Sequence, residues 1–216
     1  MNIIWYGQSC FQIMSNSGKD SQVSIITDPV SEKTGLKLPK VEADVLLVSD
    51  SKSDSIDKSV PGKPFLIDGP GEYEIKEIFV QGIPSPCDLN QGKEKKQNTI
   101  YTIELEDIKI CHLGNFCQKE LTPEQTEEIG EVDILMVPVG GGDGISVKEA
   151  MKVMSQIEPS VIIPMQYQVP KLKEKLDGVD KFLKTMGMKN IEPLPKLSIK
   201  KKDILPEEAK IIVLKS

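Results

Sequence analysis

The sequence predicts an α/β fold in one domain over residues 1–216, with two β-sheets lying between helices. Three observations carry this. The chain has 216 residues, enough to bury a substantial core. Its first half is rich in short strand-like runs, whereas its second half alternates helices with strands. No low-complexity linker separates the halves.

The elements follow in order. Ile3–Tyr6, Cys10–Met14 and Gln22–Thr27 are short apolar runs split by Gly7, Asn16 and Gly18, a pattern of strands joined by turns. Val45–Val48 is continuously apolar, as in a strand buried on both faces. It opens into a polar loop, Ser49–Ser59. Phe65–Ile67 is closed by Asp68-Gly69-Pro70-Gly71, where proline fixes φ and glycine permits positive φ. Ile75–Val80 reads as one further strand. Thr99–Leu105 and Ile108–Cys111 read as a hairpin across Glu106-Asp107.

Beyond Asn115 the period changes. Thr122-Pro123-Glu124-Gln125 is a capping box with proline at the first helical position, and Gly130 stops that helix. Val132–Val139 is a buried strand, followed by a glycine loop, Gly140–Gly144. Ser146 and Glu149 form a second capping box, and Ala150, Val153, Met154 and Ile157 mark one helical face. Val161–Met165 is a strand, Val179–Met186 a short helix stopped by Gly187, and Lys196–Lys200 and Ile211–Leu214 close the chain as strands.

Composition narrows the function classes. The formal charge is −6, which repels phosphate backbones and excludes nucleic acid as the default partner. The Lys200–Lys202 run is short and reads as a solvated turn. No apolar stretch reaches the ~18 residues of a membrane helix, and the chain does not open on a signal-peptide pattern. Cys10, Cys87, Cys111 and Cys117 form no Cys-x-x-Cys pair. Together these features predict a cytoplasmic protein with reduced thiols and no membrane partner.

Several stretches in one order resemble the metallo-β-lactamase superfamily. They are Trp5–Phe11, Thr27-Asp28-Pro29, Ala43–Ser49, Asp68–Tyr73, Cys111–Gly114, Val137–Gly141 and Ile163–Tyr167. The nearest branch resembles small hydrolases akin to ascorbate-6-phosphate lactonase. The resemblance spans nearly the whole chain and implies a four-layer αββα sandwich, the metallo-β-lactamase fold. It also implies where zinc ligands would stand, and there the chain departs from the pattern. The His-x-His-x-Asp-His loop of active relatives reads Asp50-Ser51-Lys52-Ser53-Asp54-Ser55, keeping only Asp54. Cys87, Asn115 and Gln166 stand where relatives carry a histidine, a metal-bridging aspartate and a last histidine, and Gln8 replaces the histidine after Trp-x-Gly.

The chain contains a single histidine, His112, so a two-zinc site built from several imidazoles cannot be assembled within it. The sequence therefore predicts no zinc or other cofactor, and a vestigial cleft lined by Asp50, Lys52, Asp54, Ser55, Cys87, Asn115 and Gln166. Lys52 is read either as a replacement for the lost zinc charge, paired with Asp54 or Asp50, or as an exposed loop lysine. His112 inside an apolar strand end reads as a satisfied core histidine rather than a ligand. Cys87 reads as an inert thiol, since no base is placed to activate it. Gly140–Gly144 reads as a tight loop; it lacks the Gly-Lys-Ser/Thr of a phosphate-binding loop. The functional expectation is a pseudoenzyme with a binding or assembly role, associating with itself or with an active relative. The alternative is a metal-dependent hydrolase with a remodelled, non-histidine site.

Overall fold

Two β-sheets share one apolar core. The structure, a computed structural model, describes residues 1–17, 21–50, 60–89, 94–189, 191–205 and 209–216. The first sheet contains β1 (Asn2–Trp5), β2 (Phe11–Ser17), β3 (Ser21–Thr27), β4 (Val45–Leu47), β5 (Phe65–Ile67) and the late β14 (Leu197–Ser198), in the order β14-β1-β2-β3-β4-β5. Its β1–β2–β3 portion is antiparallel, and β3–β4–β5 is parallel.

The second sheet contains β6 (Gly71–Ile75), β7 (Ile78–Pro84), β10 (Thr99–Leu105), β11 (Ile108–His112), β12 (Ile134–Pro138), β13 (Val161–Met165) and β15 (Lys210–Ile211), in the order β15-β13-β12-β11-β10-β7-β6. From β6 to β11 it is antiparallel, and from β11 to β15 parallel. A separate small ribbon pairs β8 (Cys87–Leu89) with β9 (Glu94–Lys96).

The sequence patterns explain this layering. β12 and β13 are buried at every position, as central parallel strands covered on both faces require. The Tyr101 hydroxyl, on β10, donates to the carbonyls of Val48 (2.9 Å) and Ile67 (3.3 Å), tying the second sheet to the ends of β4 and β5. Helices α1 (Pro123–Ile129), α2 (Val147–Ile157) and α3 (Val179–Thr185) contact one another, β7 and β12, and so cover the second sheet. Both expected capping boxes are formed, with the Thr122 and Ser146 side chains accepting from the Gln125 and Glu149 N–H groups. The architecture is the αββα sandwich.

Three expectations change. Ile75–Val80 is not one strand but the turn of a hairpin, because Lys76 (φ 51°) and Glu77 (φ 62°) both take left-handed backbone between β6 and β7. Such two-residue turns usually announce themselves with Asn-Gly or Asp-Gly, a signal this stretch lacks. The final strands are shorter than expected: Lys196–Lys200 contributes Leu197–Ser198 and then a 3-10 turn, Lys201–Asp203, and Ile211–Leu214 contributes Lys210–Ile211. Cys117 is disulfide-bonded, so the chain does not carry four reduced thiols. A bridge outside Cys-x-x-Cys spacing leaves no local trace in sequence. Among the described residues no helix is long and apolar enough to cross a membrane.

Candidate functional site

Parallel strands leave their carboxyl ends on one edge, and open α/β sheets bind ligands just outside such edges. Here β1, β3, β4, β11, β12 and β13 all deliver a polar loop there: Gln8-Ser9, Asp28, Ser49-Asp50, Asn115, Gly140–Gly144 and Gln166.

Asp28 is the anchor of this edge. Its carboxylate accepts from the Ser49 N–H (2.7 Å) and the Ser49 hydroxyl (2.9 Å), and meets His112 Nε2 at 3.0 Å. The ends of β3, β4 and β11 are thereby locked together across the two sheets. His112 is fully buried, its ring edge-on to Phe11 at 5.9 Å between centroids. Asp28 fixes the tautomer with the proton on Nε2, and Nδ1 has no hydrogen-bond partner. His112 thus acts as a strut between the sheets.

Beside this strut lies a pocket of amides. The Gln166 side-chain NH2 donates to Asn115 Oδ1 (2.7 Å), the Gly114 carbonyl (3.2 Å) and the Ser9 hydroxyl (3.3 Å). Asn115 in turn donates to the Ser49 hydroxyl at 3.4 Å, and its backbone N–H is held by Asn98 Oδ1 at 2.8 Å. The Gln8 carbonyl accepts from Trp5 Nε1 (2.8 Å) and the Gln166 N–H (3.3 Å), while its side-chain NH2 donates to Glu174 at 3.0 Å. A cavity of about 150 Å³ is bounded by Gln8, Asn115, Gln166, Glu174, Asp143, Leu176 and the backbone of Gly141 and Gly144. An adjoining depression shares Gln8 and Asn115 and reaches Asp28 and Asp50.

Gly140 has to be glycine, because a Cβ there would collide with the Gln166 backbone carbonyl. That contact brings the glycine loop against the β13 end. The loop serves as a pocket wall; Gly144 donates back to the Gly141 carbonyl at 3.2 Å, closing the turn on itself.

Of the residues singled out from sequence, Asn115 and Gln166 sit in direct contact and Asp50 lines the adjoining depression. Lys52, Asp54 and Ser55, with the expected Lys52–Asp54 pair, lie outside the described residues, and so does the side chain of Cys87; only its place in β8 is defined. Sequence reasoning missed Ser9, Asp143 and Glu174 as pocket residues, and Asp28 and Ser49 as the anchor. Asp28 was legible only as part of a motif, and Glu174 arrives from a loop with no pattern of its own.

Burial pushes the Cys10 and Cys111 thiols up to about 12, with a backbone bond from Val30 pulling Cys10 down and nearby Asp28 adding to its rise, and Lys109 pulling Cys111 down. Both are inert as nucleophiles at neutral pH.

A two-sheet αββα sandwich with its polar cleft at the strand ends defines the class: a metallo-β-lactamase-type fold. The chain belongs to the β-lactamase superfamily, whose domain model matches residues 2–166. It is 27% identical over 190 residues to a UPF0173 protein of Pyrococcus abyssi, covering 77% of this chain and 83% of that one. A UPF0173 metal-dependent hydrolase of Pyrococcus horikoshii is 31% identical over 101 residues, 45% of this chain and 44% of its own. Among solved structures, a proposed zinc-dependent hydrolase of the metallo-β-lactamase superfamily from Thermotoga maritima superposes with a TM-score of 0.78 at 35% identity, covering 99% and 97% of the two chains. An isothiocyanate hydrolase from Delia radicum gut bacteria, with a TM-score of 0.67 at 10% identity over 93% and 99%, shares the fold.

These relatives imply a metal, so the donor set at this cleft is the test. Zinc favours imidazole and thiolate. The cleft offers Gln8, Asn115 and Gln166 amides, serine hydroxyls and the carboxylates of Asp28, Asp50, Asp143 and Glu174, and the chain's one imidazole is buried against Asp28. Among the described residues no group of three or more His, Cys, Asp or Glu is arranged to hold a metal ion. Gln8 Oε1 is buried with no partner, an acceptor where a histidine would present a ligand nitrogen. Among the described residues, this donor set does not fit a zinc hydrolase centre.

Proposed function

We propose that this protein is a non-catalytic member of the superfamily that keeps the cleft as a binding pocket. The carrying observation is the bonded side-chain amide pair Gln166–Asn115 at the strand ends, with the Gln166 backbone N–H held by the Gln8 carbonyl. Amides are poor zinc ligands and neither lower the pKa of a bound water nor supply a nucleophile, so the hydrolytic chemistry of a zinc centre has no source among them. The same geometry supports recognition: the amide groups are fixed by hydrogen bonds to Ser9, Gly114 and Glu174, which pre-organises the pocket at low entropic cost.

Relatives named as metal-dependent hydrolases favour a second reading, a metal-dependent hydrolase with a remodelled site near Asp28 and Asp50. Elemental analysis of protein purified without chelator, with hydrolysis assays on lactone, phosphodiester and thioester probes, separates the two. Background metal and background turnover support the binding protein. About one or two tightly held transition metals per chain with metal-dependent turnover establish the hydrolase.

A further inference from the structure

We infer that Cys117 is bonded to Cys87, and that this disulfide is a redox-sensitive latch holding a hairpin arm at the rim of the cleft. This goes beyond the binding reading of the cleft and does not rest on it.

The pairing follows by elimination. The chain has four cysteines. Cys117 is disulfide-bonded, whereas Cys10 and Cys111 are free and buried. Within one chain that leaves Cys87, in β8. The neighbouring residues bring the two positions together independently. The Ser85 hydroxyl, two residues before Cys87, donates at 2.7 Å to Oε1 of Gln118, the residue after Cys117. The Gln125 side-chain NH2 spans the same two segments, donating to Gln118 Oε1 at 3.0 Å and to the Pro84 carbonyl at 2.9 Å.

The arm is the β8–β9 ribbon. β8 leaves β7 through Ser85 and β9 returns to β10 through Asn98. The Ser85 N–H donates to the Asn98 carbonyl at 2.7 Å, so both strands spring from one root. That root belongs to the cleft: the Thr99 N–H donates to the Ser49 carbonyl at 2.9 Å, and Asn98 Oδ1 holds the Asn115 N–H. Beyond the root the ribbon has three residue pairs, Cys87 with Lys96, Asp88 with Lys95 and Leu89 with Glu94, and it joins neither large sheet. A two-stranded ribbon this short is marginal in water by itself. Its tether to the loop after Asn115 therefore decides whether it stays ordered. The sandwich does not depend on that tether, because the root bonds and the fully buried Phe116 hold the loop in place.

The chemistry is thiol–disulfide exchange. Cys117 is half-buried, which leaves it reachable from solvent. A thiolate of a dithiol reductant attacks its sulfur, forming a mixed disulfide and releasing Cys87 as a thiolate that takes up a proton. The second thiol of the reductant then displaces Cys117. The reductant leaves as its own disulfide, and the protein has gained two electrons and two protons. Cys10 and Cys111 take no part, since burial pushes both thiols up to about 12.

The test is a dithiothreitol titration of the native full chain, read by differential alkylation with peptide mass spectrometry and by amide hydrogen exchange. Before reduction the Cys87 and Cys117 peptides should be joined, with Cys10 and Cys111 as thiols. On reduction Cys87 and Cys117 should become alkylated together while Cys10 and Cys111 stay protected. The amides of β8 and β9 should then exchange about tenfold faster or more, with β12 and β13 unchanged. Cys117→Ser should show the fast-exchanging ribbon without reductant and no further response to it; should that variant fail to fold, the wild-type titration decides alone. A free Cys117 thiol overturns the pairing, and so does a Cys117-linked covalent dimer on a non-reducing gel. Unchanged ribbon exchange after reduction overturns the latch. Faster exchange throughout the sandwich overturns it too, because the bond would then be a staple of the whole fold.

Discussion

Replacing Asp28 with alanine tests the view that one carboxylate holds the functional edge together. The carboxylate serves the Ser49 N–H, the Ser49 hydroxyl and His112 Nε2, and its side chain is only 9% exposed. Hydrogen bonds to a charged group contribute about 1.5–3 kcal/mol each, and bonds to a shared acceptor do not add in full. Removal would also leave His112, fully buried, with neither ring nitrogen bonded. The expected loss is on the order of 4 kcal/mol. At ~2–4 °C per kcal/mol for a chain of this size, the melting temperature should fall by roughly 10 °C. Asp28→Asn keeps the shape. Its amide still accepts from the Ser49 N–H, and it can donate to His112 if the ring proton moves to Nδ1, so the loss should be nearer 1–2 kcal/mol. Asp28→Gly separates backbone from side chain. The residue has φ 38°, where glycine is unstrained, so glycine should be milder than alanine by up to about 1 kcal/mol. Urea denaturation measures all three. Because the chain has one histidine, the protected ring N–H gives a single assignable proton resonance that should vanish in the alanine variant. An alanine cost below about 1 kcal/mol, with that resonance retained, would refute the anchor.

The other expectations are more local. Gly140→Ala should unfold or displace the glycine loop, read by circular dichroism, because the added Cβ meets the Gln166 carbonyl. Ser146→Ala removes the cap of α2 and should cost about 1 kcal/mol in urea denaturation. Cys10 and Cys111, both pushed up to about 12, should resist alkylation in the native state at pH 7 and react once unfolded, as followed by peptide mass spectrometry. Burial raises the Asp44 carboxyl, but Lys76 at 2.5 Å and the Ser24 N–H outweigh it, so the net shift is downward. A depressed carboxyl stabilises above the ordinary value of about 3.9 and loses that contribution as pH falls through its folded value. The stability gap between wild type and Asp44→Asn should therefore close below about pH 4, and a gap that widens there would contradict the sign.

The sandwich was legible because both kinds of patterning agree with it. Val132–Val139 and Val161–Met165 are continuous apolar runs and become the buried parallel strands, and Thr122 and Ser146 announce their helices through capping chemistry. What escaped was set by backbone conformation and by distance along the chain. The Lys76-Glu77 turn uses left-handed residues that carry no glycine or asparagine signal. Asp28 and His112 stand 84 residues apart, and Gln8 and Glu174 166 apart, so neither pair leaves a local pattern. Substitution at the ligand positions told what the cleft had lost, but not that its replacements would bond to one another.

The backbone at the cleft is strained as well as bonded. Left-handed non-glycine residues are uncommon and cost about 1–3 kcal/mol each. In this chain Lys76, Glu77, Glu106 and Asp107 occupy them in two-residue hairpin turns, where the twist of the flanking strands favours that geometry, and Glu158 does so as a helix cap. Gln8, Asp28, Gln166 and the exposed Lys171 have no such local reason, with φ of 51°, 38°, 51° and 70°. The first three stand where a strand runs out into the cleft. Each is held by bonds that converge on its neighbours: Gln8 and Gln166 through their shared backbone contact, Asp28 through Ser49 and His112. Gln8 and Gln166 beside the amide pocket, and Asp28 in the strut next to it, thus sit in backbone that their surrounding bonds sustain.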